Sequence, residues 1–488
     1  MKVIKRDGRA VEFNGEKIMV AIEKANMEVA EERRATAEEI NSIIRYIESL
    51  DKKRILVEDI QDIIEQKLME LARYELAKKY IVYRYTRALV RKQNTTDESI
   101  LGLIKNGGNT SGKGRVIASA QRDLIAGEVS KDLTKRILLP EKITKAHESG
   151  IIHFHDMGYF LQSIINSCVV NMGDMLDNGT EINGQKVEIP NGFVEACIAF
   201  AHVVTAVASS QYGKQYINVG HLGKYLRKSY ERCKSNLTEV FELNGTNGKN
   251  LSDDAKEAIV QQIIEKELTE GIQIIKYGID SLVNPYDKGP KVVLNLVNDS
   301  KSEYSKENEM IIAEIVRQKI KKCELVTEPE RAEIFKAEGR FNYGVVSINL
   351  LLIVHSIDGD EKEFWNLLDD RLELCYEALM CRHYALLGTI SDVSPIHWQN
   401  GAIARLEAGE RIDRLLKDGY SSISLGCTGV NETAEAMASV LNWSEEATKT
   451  FKVKLIRHLE DKVQSWRKMT GIGFEIQHRG RFYLLKKT

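Results

Sequence analysis

The sequence predicts an α/β protein with a small, mostly helical domain in front of it. With 488 residues and 43% hydrophobic content, the chain can bury one large core and a second, smaller one. From Val116 onwards, segments with helical periodicity alternate with strand-like segments, which is typical of α/β folds whose strands are covered on both faces. Before residue 93 helical patterns dominate, and this change indicates a separate domain.

The first 92 residues predict a hairpin followed by helices. Residues 3–13 alternate in hydrophobicity about Asp7-Gly8, a pair that favours hairpin turns because it accepts positive φ. A capping box at Thr36 precedes apolar residues at helical spacing, namely Ile40, Ile43, Ile44 and Ile47. Residues 93–115 are rich in Gly, Asn, Ser and Thr. We therefore predict a domain at 1–92, a linker at 93–115 and a larger domain at 116–488.

Three cations cluster near the predicted hairpin. Lys5, Arg6 and Lys17 lie where side-chain charges and the free N–H groups of a helix start can hold a triphosphate. Such a cluster is also typical of an ordinary solvated surface. The charge pattern alone leaves both interpretations open.

Titratable groups collect ahead of one predicted strand of the larger domain. A His-x-His-Asp motif that contains His155 precedes a β-branched run with Cys168 in its middle. One interpretation is a substrate site at the mouth of the strand, and the other is a thiol buried in the core, which is where free cysteine is commonly found.

Two further predicted strands carry polar side chains. Residues 339–350 include Asn342, whose amide can donate to and accept from a pair of ribose hydroxyls, although asparagine is also common where strands end. Ser422 and Ser424 belong to a segment rich in Ser and Gly with a β pattern. That segment is either a packed strand end or a phosphate-binding edge.

Composition excludes several classes of function. Lys and Arg total 69 against 71 Asp and Glu, so the net charge of −2 gives no footprint for nucleic acid. We find no signal peptide and no apolar run near 18 residues, and we expect a cytoplasmic protein that does not enter a membrane. The seven cysteines contain no C-x-x-C pair, so neither a disulfide framework nor a bound metal is indicated.

Four segments in order resemble one known family. Residues 151–176, 209–229, 339–350 and 419–433 are similar to the large subunit of the anaerobic, glycyl-radical class of ribonucleoside-triphosphate reductases, and the first 92 residues resemble the ATP-cone that precedes many ribonucleotide reductases. The resemblance implies a ten-stranded α/β barrel. It also implies a partner cysteine at Cys168, a substrate-side asparagine at Asn342, and an active-site floor that includes His155, Ser422 and Ser424. In the ATP-cone it implies that ATP or dATP is bound by Lys5, Arg6, Asn14 and Lys17.

The sequence departs from the family in two places. The loop that carries the radical cysteine usually contains Gly-Cys-Arg, whereas the matching stretch has only Cys323, which follows a lysine-rich run that could lower its pKa and lies at a predicted helix end. The family's four-cysteine zinc segment and its glycyl-radical motif do not occur in these 488 residues. Cys323 is therefore the candidate for the radical thiol only by position.

The resemblance implies a function with several partners. We expect anaerobic reduction of ribonucleoside triphosphates with formate as the reductant and with ATP/dATP control. We further expect a homodimer whose radical is generated by a radical-SAM activase. The missing motifs predict a truncated or split catalytic subunit, and for a split enzyme we expect a separate polypeptide that carries the glycyl-radical segment. The alternative is a catalytically inactive homologue that still binds nucleotides.

Overall fold

The computed structural model describes residues 2–4, 10–50, 54–105, 118–243, 252–282, 292–327, 335–357 and 360–478. The chain divides into two compact units, Met1–Gly102 and Leu103–Thr488. The first part of the predicted linker is helical, because residues up to Lys105 continue a helix that begins at Tyr74. Residues 106–115, the rest of that linker, lie outside the described residues, and the boundaries at 92 and 116 stay a prediction.

The first unit is a small sheet under a group of helices. Its sheet has the order β2-β1-β3, in which β1 (Lys2–Ile4) is antiparallel to β2 (Ala10–Glu12) and parallel to β3 (Arg54–Leu56). The predicted hairpin is therefore confirmed, although its Asp7-Gly8 turn is outside the described residues. The capping box at Thr36 is present, and the four isoleucines after it are buried. The elements are β1 (Lys2–Ile4), β2 (Ala10–Glu12), α1 (Glu16–Asn26), α2 (Ala37–Ser49), β3 (Arg54–Leu56), α3 (Val57–Glu70) and α4 (Tyr74–Lys105).

The second unit alternates helices and strands, as the sequence predicts. Its first half contains α5 (Ala118–Leu133), α6 (Glu141–Glu148), β4 (Ile152–Phe154), β5 (Ser167–Val169), α7 (Met172–Asn178), β6 (Thr180–Ile182), β7 (Gln185–Val187), α8 (Phe193–Ser210), β8 (Gln215–Asn218), α9 (Gly223–Leu243), α10 (Asp253–Asp280), β9 (Val292–Asn295), α11 (Ser305–Gln318) and β10 (Cys323–Val326). Its second half contains β11 (Arg340–Asn349), α12 (Leu351–Val354), α13 (Glu361–Leu386), α14 (Pro395–Trp398), β12 (Ser421–Thr428), α15 (Val430–Leu441), α16 (Glu445–Thr470) and β13 (Phe474–His478).

Residues 432–469 have a helical pattern throughout, yet the structure divides them between two helices. α15 ends at Leu441, and its C-cap Asn442 adopts the left-handed conformation with φ 53°. Ser444 then caps α16, because its side chain accepts the N–H of Ala447. Asn and Ser are the residues that favour these two positions, so the break has a local cause.

Eight described strands form one sheet. Their order is β10-β9-β8-β5-β11-β12-β13, and β4 also pairs with β11. β5, β8, β9 and β10 are mutually parallel, as are β11, β12 and β13, and the two sets meet antiparallel at β5 and β11. The α/β class is confirmed, whereas ten strands and a closed barrel are not seen in this part of the chain.

The two faces of this sheet differ in polarity. Side chains alternate between the faces along each strand, so Phe341, Ile423 and Phe474 share one face. These three are buried, and the helix-covered face, as we call it, is packed by α8, α13 and α16. The opposite face, called the polar face below, carries Asn342 and Ser422. Within the described ranges, none of the helices combines the length and the hydropathy needed to cross a bilayer.

Candidate active site

Four side chains of the polar face form one hydrogen-bonded cluster. Asn342 Nδ2 lies 3.0 Å from Ser422 Oγ, 2.7 Å from Ser424 Oγ and 3.0 Å from Glu475 Oε1. The two serine hydroxyls donate to the same Glu475 oxygen, at 2.8 and 2.9 Å. One carboxylate oxygen is thus surrounded by three donors. We call Asn342, Ser422, Ser424 and Glu475 the polar cluster.

Strand register explains why the cluster forms. β11, β12 and β13 are adjacent parallel strands in which Asn342 pairs with Ser422 and Ser424 pairs with Glu475. Residues paired across parallel strands point to the same face, and Ser422 and Ser424 are two positions apart on one strand. The strand register therefore directs all four side chains to a single patch, while the substrate role of Asn342, Ser422 and Ser424 stays a prediction.

The Asn342 amide is also held from its oxygen side. Its Oδ1 accepts the Gly344 N–H at 2.9 Å and the Asn166 Nδ2–H at 3.3 Å. The strand register shifts between Asn342 and Val345, so Gly344 lies in a β-bulge. A bulge bends its strand and changes the direction of neighbouring side chains. Asn342 is consequently fixed in one orientation towards the cluster.

His155 lies further along the same strand. Its Nε2 is 2.7 Å from Ser347 Oγ of β11, and its ring is 4.4 Å from the ring of His153 in an edge-on contact. Ser347 is five positions after Asn342 (347 − 342), so His155 contacts β11 beyond the polar cluster. The substrate role of His155 stays a prediction.

Cys168 faces away from the cluster. In the antiparallel pairing of β5 and β11, Cys168 is opposite Phe341, while Ser167 is opposite Asn342. The prediction that Cys168 and Asn342 share one pocket is therefore wrong, because their side chains leave opposite faces of the sheet. Cys168 is 2% exposed, and burial raises the pKa of its thiol well above the usual range. The core-thiol interpretation fits this environment, while a catalytic role of Cys168 remains untested.

Cys323 lies further from the polar cluster than Cys168 does. It begins β10 rather than ending a helix, and three strands separate β10 from β11 in the sheet. Burial raises the pKa of Cys323 to about 11, with further contributions from the charges of Asp280 and Glu324. The expectation that nearby lysines lower this pKa is wrong. A radical role for Cys323 stays a prediction without geometric support.

Two of the predicted ATP-cone ligands are described. Asn14 is exposed, with Oδ1 accepting the Glu16 N–H at 2.8 Å, and Lys17 is exposed on the first turn of α1. Lys5 and Arg6 lie outside the described residues. Asn14 and Lys17 thus flank the start of α1 as the sequence predicts, and nucleotide binding by these four residues is not tested.

Sequence analysis missed Glu475, Asn166 and Ser347. The signal for Glu475 was a single charged residue at an alternating position in the strand-like segment 474–478, next to two apolar neighbours. A charge in a strand of a well-packed sheet is unusual and points to a functional group. In the described part of the chain, no group of three or more His, Cys, Asp or Glu side chains is arranged to hold a metal ion.

Comparison with solved structures defines the class by its fold. An anaerobic ribonucleotide reductase aligns with a TM-score of 0.55 at 13% identity, over 78% of this chain and 69% of the other. The enzyme from Thermotoga maritima with glycerol in its active site aligns with a TM-score of 0.54 at 12% identity, over 79% and 72%. The second unit thus has the fold of these reductases, with mixed α/β content.

Sequence comparison then gives the family. The profile of the family described as anaerobic ribonucleoside-triphosphate reductase matches residues 109–324 and 295–478, and that of the ATP cone domain matches residues 1–89. The chain belongs to the anaerobic ribonucleoside-triphosphate reductase family and carries an ATP-cone domain. Curated members from Haemophilus influenzae and Escherichia coli are 28% and 26% identical over 97% of this chain, which spans 76% and 75% of their lengths.

Proposed function

We propose that this chain is a catalytic subunit of an anaerobic ribonucleoside-triphosphate reductase and that the polar cluster binds the ribose of its substrate. The observation that carries the proposal is the convergence of Asn342, Ser422, Ser424 and Glu475 on one sheet face in a chain of this family. The reaction replaces the 2′ hydroxyl of a ribonucleoside triphosphate by hydrogen. A site for it must hold the ribose hydroxyls.

The chemistry of the cluster suits two neighbouring hydroxyl groups. A ribose hydroxyl that enters can donate to the Glu475 carboxylate and accept from the Asn342 amide, while the two serine hydroxyls continue to hold the carboxylate in place. Hydrogen bonds to an ionised group are worth about 1.5–3 kcal/mol each. The carboxylate also repels phosphate, so the triphosphate end of the substrate points away from Glu475.

The wider proposal follows the family. ATP or dATP binds residues 1–92 as an effector, formate is the reductant, a radical-SAM activase supplies the radical, and the protein is a cytoplasmic homodimer. The sheet is part of a ten-stranded barrel, and two parallel sets that meet antiparallel are consistent with such a barrel. No described cysteine and histidine cluster fits zinc, so the proposal contains no step at a metal.

A second function is favoured by the positions of the thiols. Three cysteines lie on strands: Cys168, Cys323 and Cys427. Each points to the same face of the sheet as the buried residue with which it pairs, namely Phe341, Val292 and Ile348 in that order. The other four cysteines are on helices. No thiol therefore points to the polar cluster, although removal of the 3′ hydrogen requires a thiol there. On this observation, the chain is a nucleotide-binding homologue without turnover.

Calorimetry with CTP and dCTP tests ribose binding. We expect the protein to bind CTP more tightly than dCTP, because a site built to hydrogen-bond a hydroxyl rejects an analogue that lacks it. Replacing both cluster serines, Ser422→Ala with Ser424→Ala, should weaken CTP about tenfold and reduce the preference over dCTP, since Glu475 loses two donors.

The same strand offers a matched control. Ser421 is also buried, but it faces the helix-covered side and its hydroxyl has no hydrogen-bond partner among the described residues. Ser421→Ala should leave CTP affinity unchanged and keep the fold stable. Equal losses in Ser421→Ala and in the double variant, or equal affinities for CTP and dCTP, would refute ribose binding at the cluster.

Turnover separates the two functions. The protein is supplied with CTP, formate, an activase and, as a second polypeptide, the glycyl-radical segment of a family member, without oxygen. The reductase proposal expects dCTP, and the Ser422→Ala and Ser424→Ala double variant should form at least tenfold less of it. Tight CTP binding without any dCTP would establish the second function instead.

A further inference from the structure

A buried arginine lies directly behind the bulge of β11. Arg382 of α13 is 4% exposed, and its guanidinium carbon is 4.1 Å from the centre of the Phe154 ring. Its Nη2 donates to the carbonyl oxygen of His155, while its Nε is buried and has no hydrogen-bond partner within the described ranges. Burial lowers the pKa of this guanidinium, so the protein holds a cation where solvation is poor.

Gly344 is the point at which this arginine meets the strand. A β-carbon at position 344 would lie 2.4 Å from Arg382 Cδ and 2.7 Å from its Nε, and the residue has φ 152°. Only glycine accepts both the conformation and the close approach. The Arg382 side chain cannot easily withdraw, because the Phe154 ring and the His155 carbonyl hold its far end.

Gly344 in turn determines the orientation of the site asparagine. Its N–H donates to Asn342 Oδ1 at 2.9 Å, and this bond directs Asn342 Nδ2 towards Ser424 and Glu475. Two successive contacts therefore connect a side chain of the helix layer to the polar cluster. Arg382 itself touches none of the four cluster residues in the contacts that the structure shows.

We propose that Arg382 is a positioning residue: it supports the bulge at Gly344 and through it orients the Asn342 amide towards the bound ribose. This inference rests on the proposed function of the polar cluster. Sites of this kind need supporting contacts that fix their side chains within a fraction of an ångström. The guanidinium holds the Arg382 side chain against Gly344 through its bond to the His155 carbonyl. Without it the bulge relaxes, and Asn342 Oδ1 loses the Gly344 donor.

A purely structural role for Arg382 is the competing explanation, and the same helix supplies the control for it. Arg371 of α13 is also buried, at 6% exposure, and one of its guanidinium nitrogens also lacks a partner in the described part of the chain. Its Nη2 donates to Ser356 Oγ, and none of its contacts within the described ranges reaches the bulge. Arg371→Met and Arg382→Met therefore remove similar buried cations, and only the second should affect Asn342.

The experiment uses full-length protein labelled with 15N only at asparagine. The side-chain amide signal that is absent from Asn342→Ala belongs to Asn342, and we expect Arg382→Met to shift or broaden it in ligand-free protein while Arg371→Met leaves it in place. CTP affinity should fall about tenfold in Arg382→Met. In an Asn342→Ala background the same substitution should change affinity less than twofold, because the residue through which it acts is gone.

An unshifted Asn342 signal in Arg382→Met, or an equal loss of CTP affinity with and without Asn342, would overturn the inference. If Arg382→Met does not fold, Gly344→Ala disturbs the same contact from the strand side and must shift the same signal. Failure of the unmodified protein to bind CTP would contradict the proposed function, and the amide spectrum would still decide the positioning role.

Discussion

Acidification is expected to destabilise the second unit by about 2 kcal/mol at pH 5 through one side chain, His397. This histidine is fully buried on α14, and burial lowers its pKa to about 3. Its Nε2 is 3.3 Å from Gln211 Oε1 and its Nδ1 is 2.8 Å from Ser394 Oγ. The Gln211 Nε2 donates to the Lys214 carbonyl, so Oε1 faces the imidazole, which is held neutral.

The sign follows from proton uptake. An unfolded histidine has a pKa near 6.5, so between about pH 6.5 and pH 3 the unfolded chain binds a proton that the folded chain refuses. Stability is fully present above this window and falls as the pH decreases through it. Each pH unit costs about 1.4 kcal/mol, which gives about 2 kcal/mol at pH 5 and at most about 5 kcal/mol near pH 3.

Urea unfolding between pH 7.5 and pH 4.5 measures this effect. All four tryptophans, Trp365, Trp398, Trp443 and Trp466, belong to the second unit, so their fluorescence reports on it. His397→Gln should be less stable at pH 7.5 but lose less stability on acidification than the unmodified protein. His355→Gln removes an exposed histidine and should keep the original pH profile. Parallel pH profiles for His397→Gln and the unmodified protein would contradict the assignment.

Placing a second carboxylate in the polar cluster should also lower the free energy of unfolding. Asn342→Asp preserves shape but removes the amide donors and brings a like charge to about 3 Å from Glu475, since Asn342 Nδ2 is now 3.0 Å from Glu475 Oε1. We expect a loss of about 3–5 kcal/mol in the free energy of unfolding at pH 7 and no measurable CTP binding. Two carboxyl groups this close share one proton, as the two catalytic aspartates of aspartic proteases do.

The pH dependence of this variant has the opposite direction to that of His397. The shared proton raises a folded-state pKa above the unfolded value, so the stability of Asn342→Asp is greater near pH 5 and is lost as the pH rises towards 7. The double variant Asn342→Asp with Glu475→Gln exchanges the two groups and should recover most of the stability at pH 7. If the single variant is as stable at pH 7 as at pH 5, or the exchange does not help, the contact between residues 342 and 475 is not as described.

The sequence predicts strands more reliably than it predicts their faces. The β patterns at residues 339–350 and 421–426 gave β11 and β12, and the motif pointed to Asn342, Ser422 and Ser424. Whether Cys168 or Ser167 points to the site depends on a register shift of one residue in a strand of three, Ser167–Val169. Residues 164–170 show no strict alternation of apolar and polar side chains from which that register could be predicted.

Glu475 illustrates a second limit. It contacts residues 51 to 133 positions away, and the pairing of β12 with β13 arises only after α15 and α16 have folded back onto the sheet. Periodicity within a segment carries no information about which strand will become its neighbour. The bulge at Gly344 was missed for a related reason, because it depends on a side chain of α13 that no local pattern connects with β11.

The antiparallel junction of β5 and β11 also affects how the protein is made. Val169 and Arg340, which pair there, are 171 positions apart (340 − 169). At the usual 5–20 residues per second, a ribosome needs roughly 10–30 s to add the partner of β5, and during that time this edge of the nascent sheet has unpaired backbone groups. The polar cluster is completed later still, because Glu475 follows Asn342 by 133 positions (475 − 342). Nascent chains that stall before residue 340 would expose the open edge of β5 and contain no residue of the site.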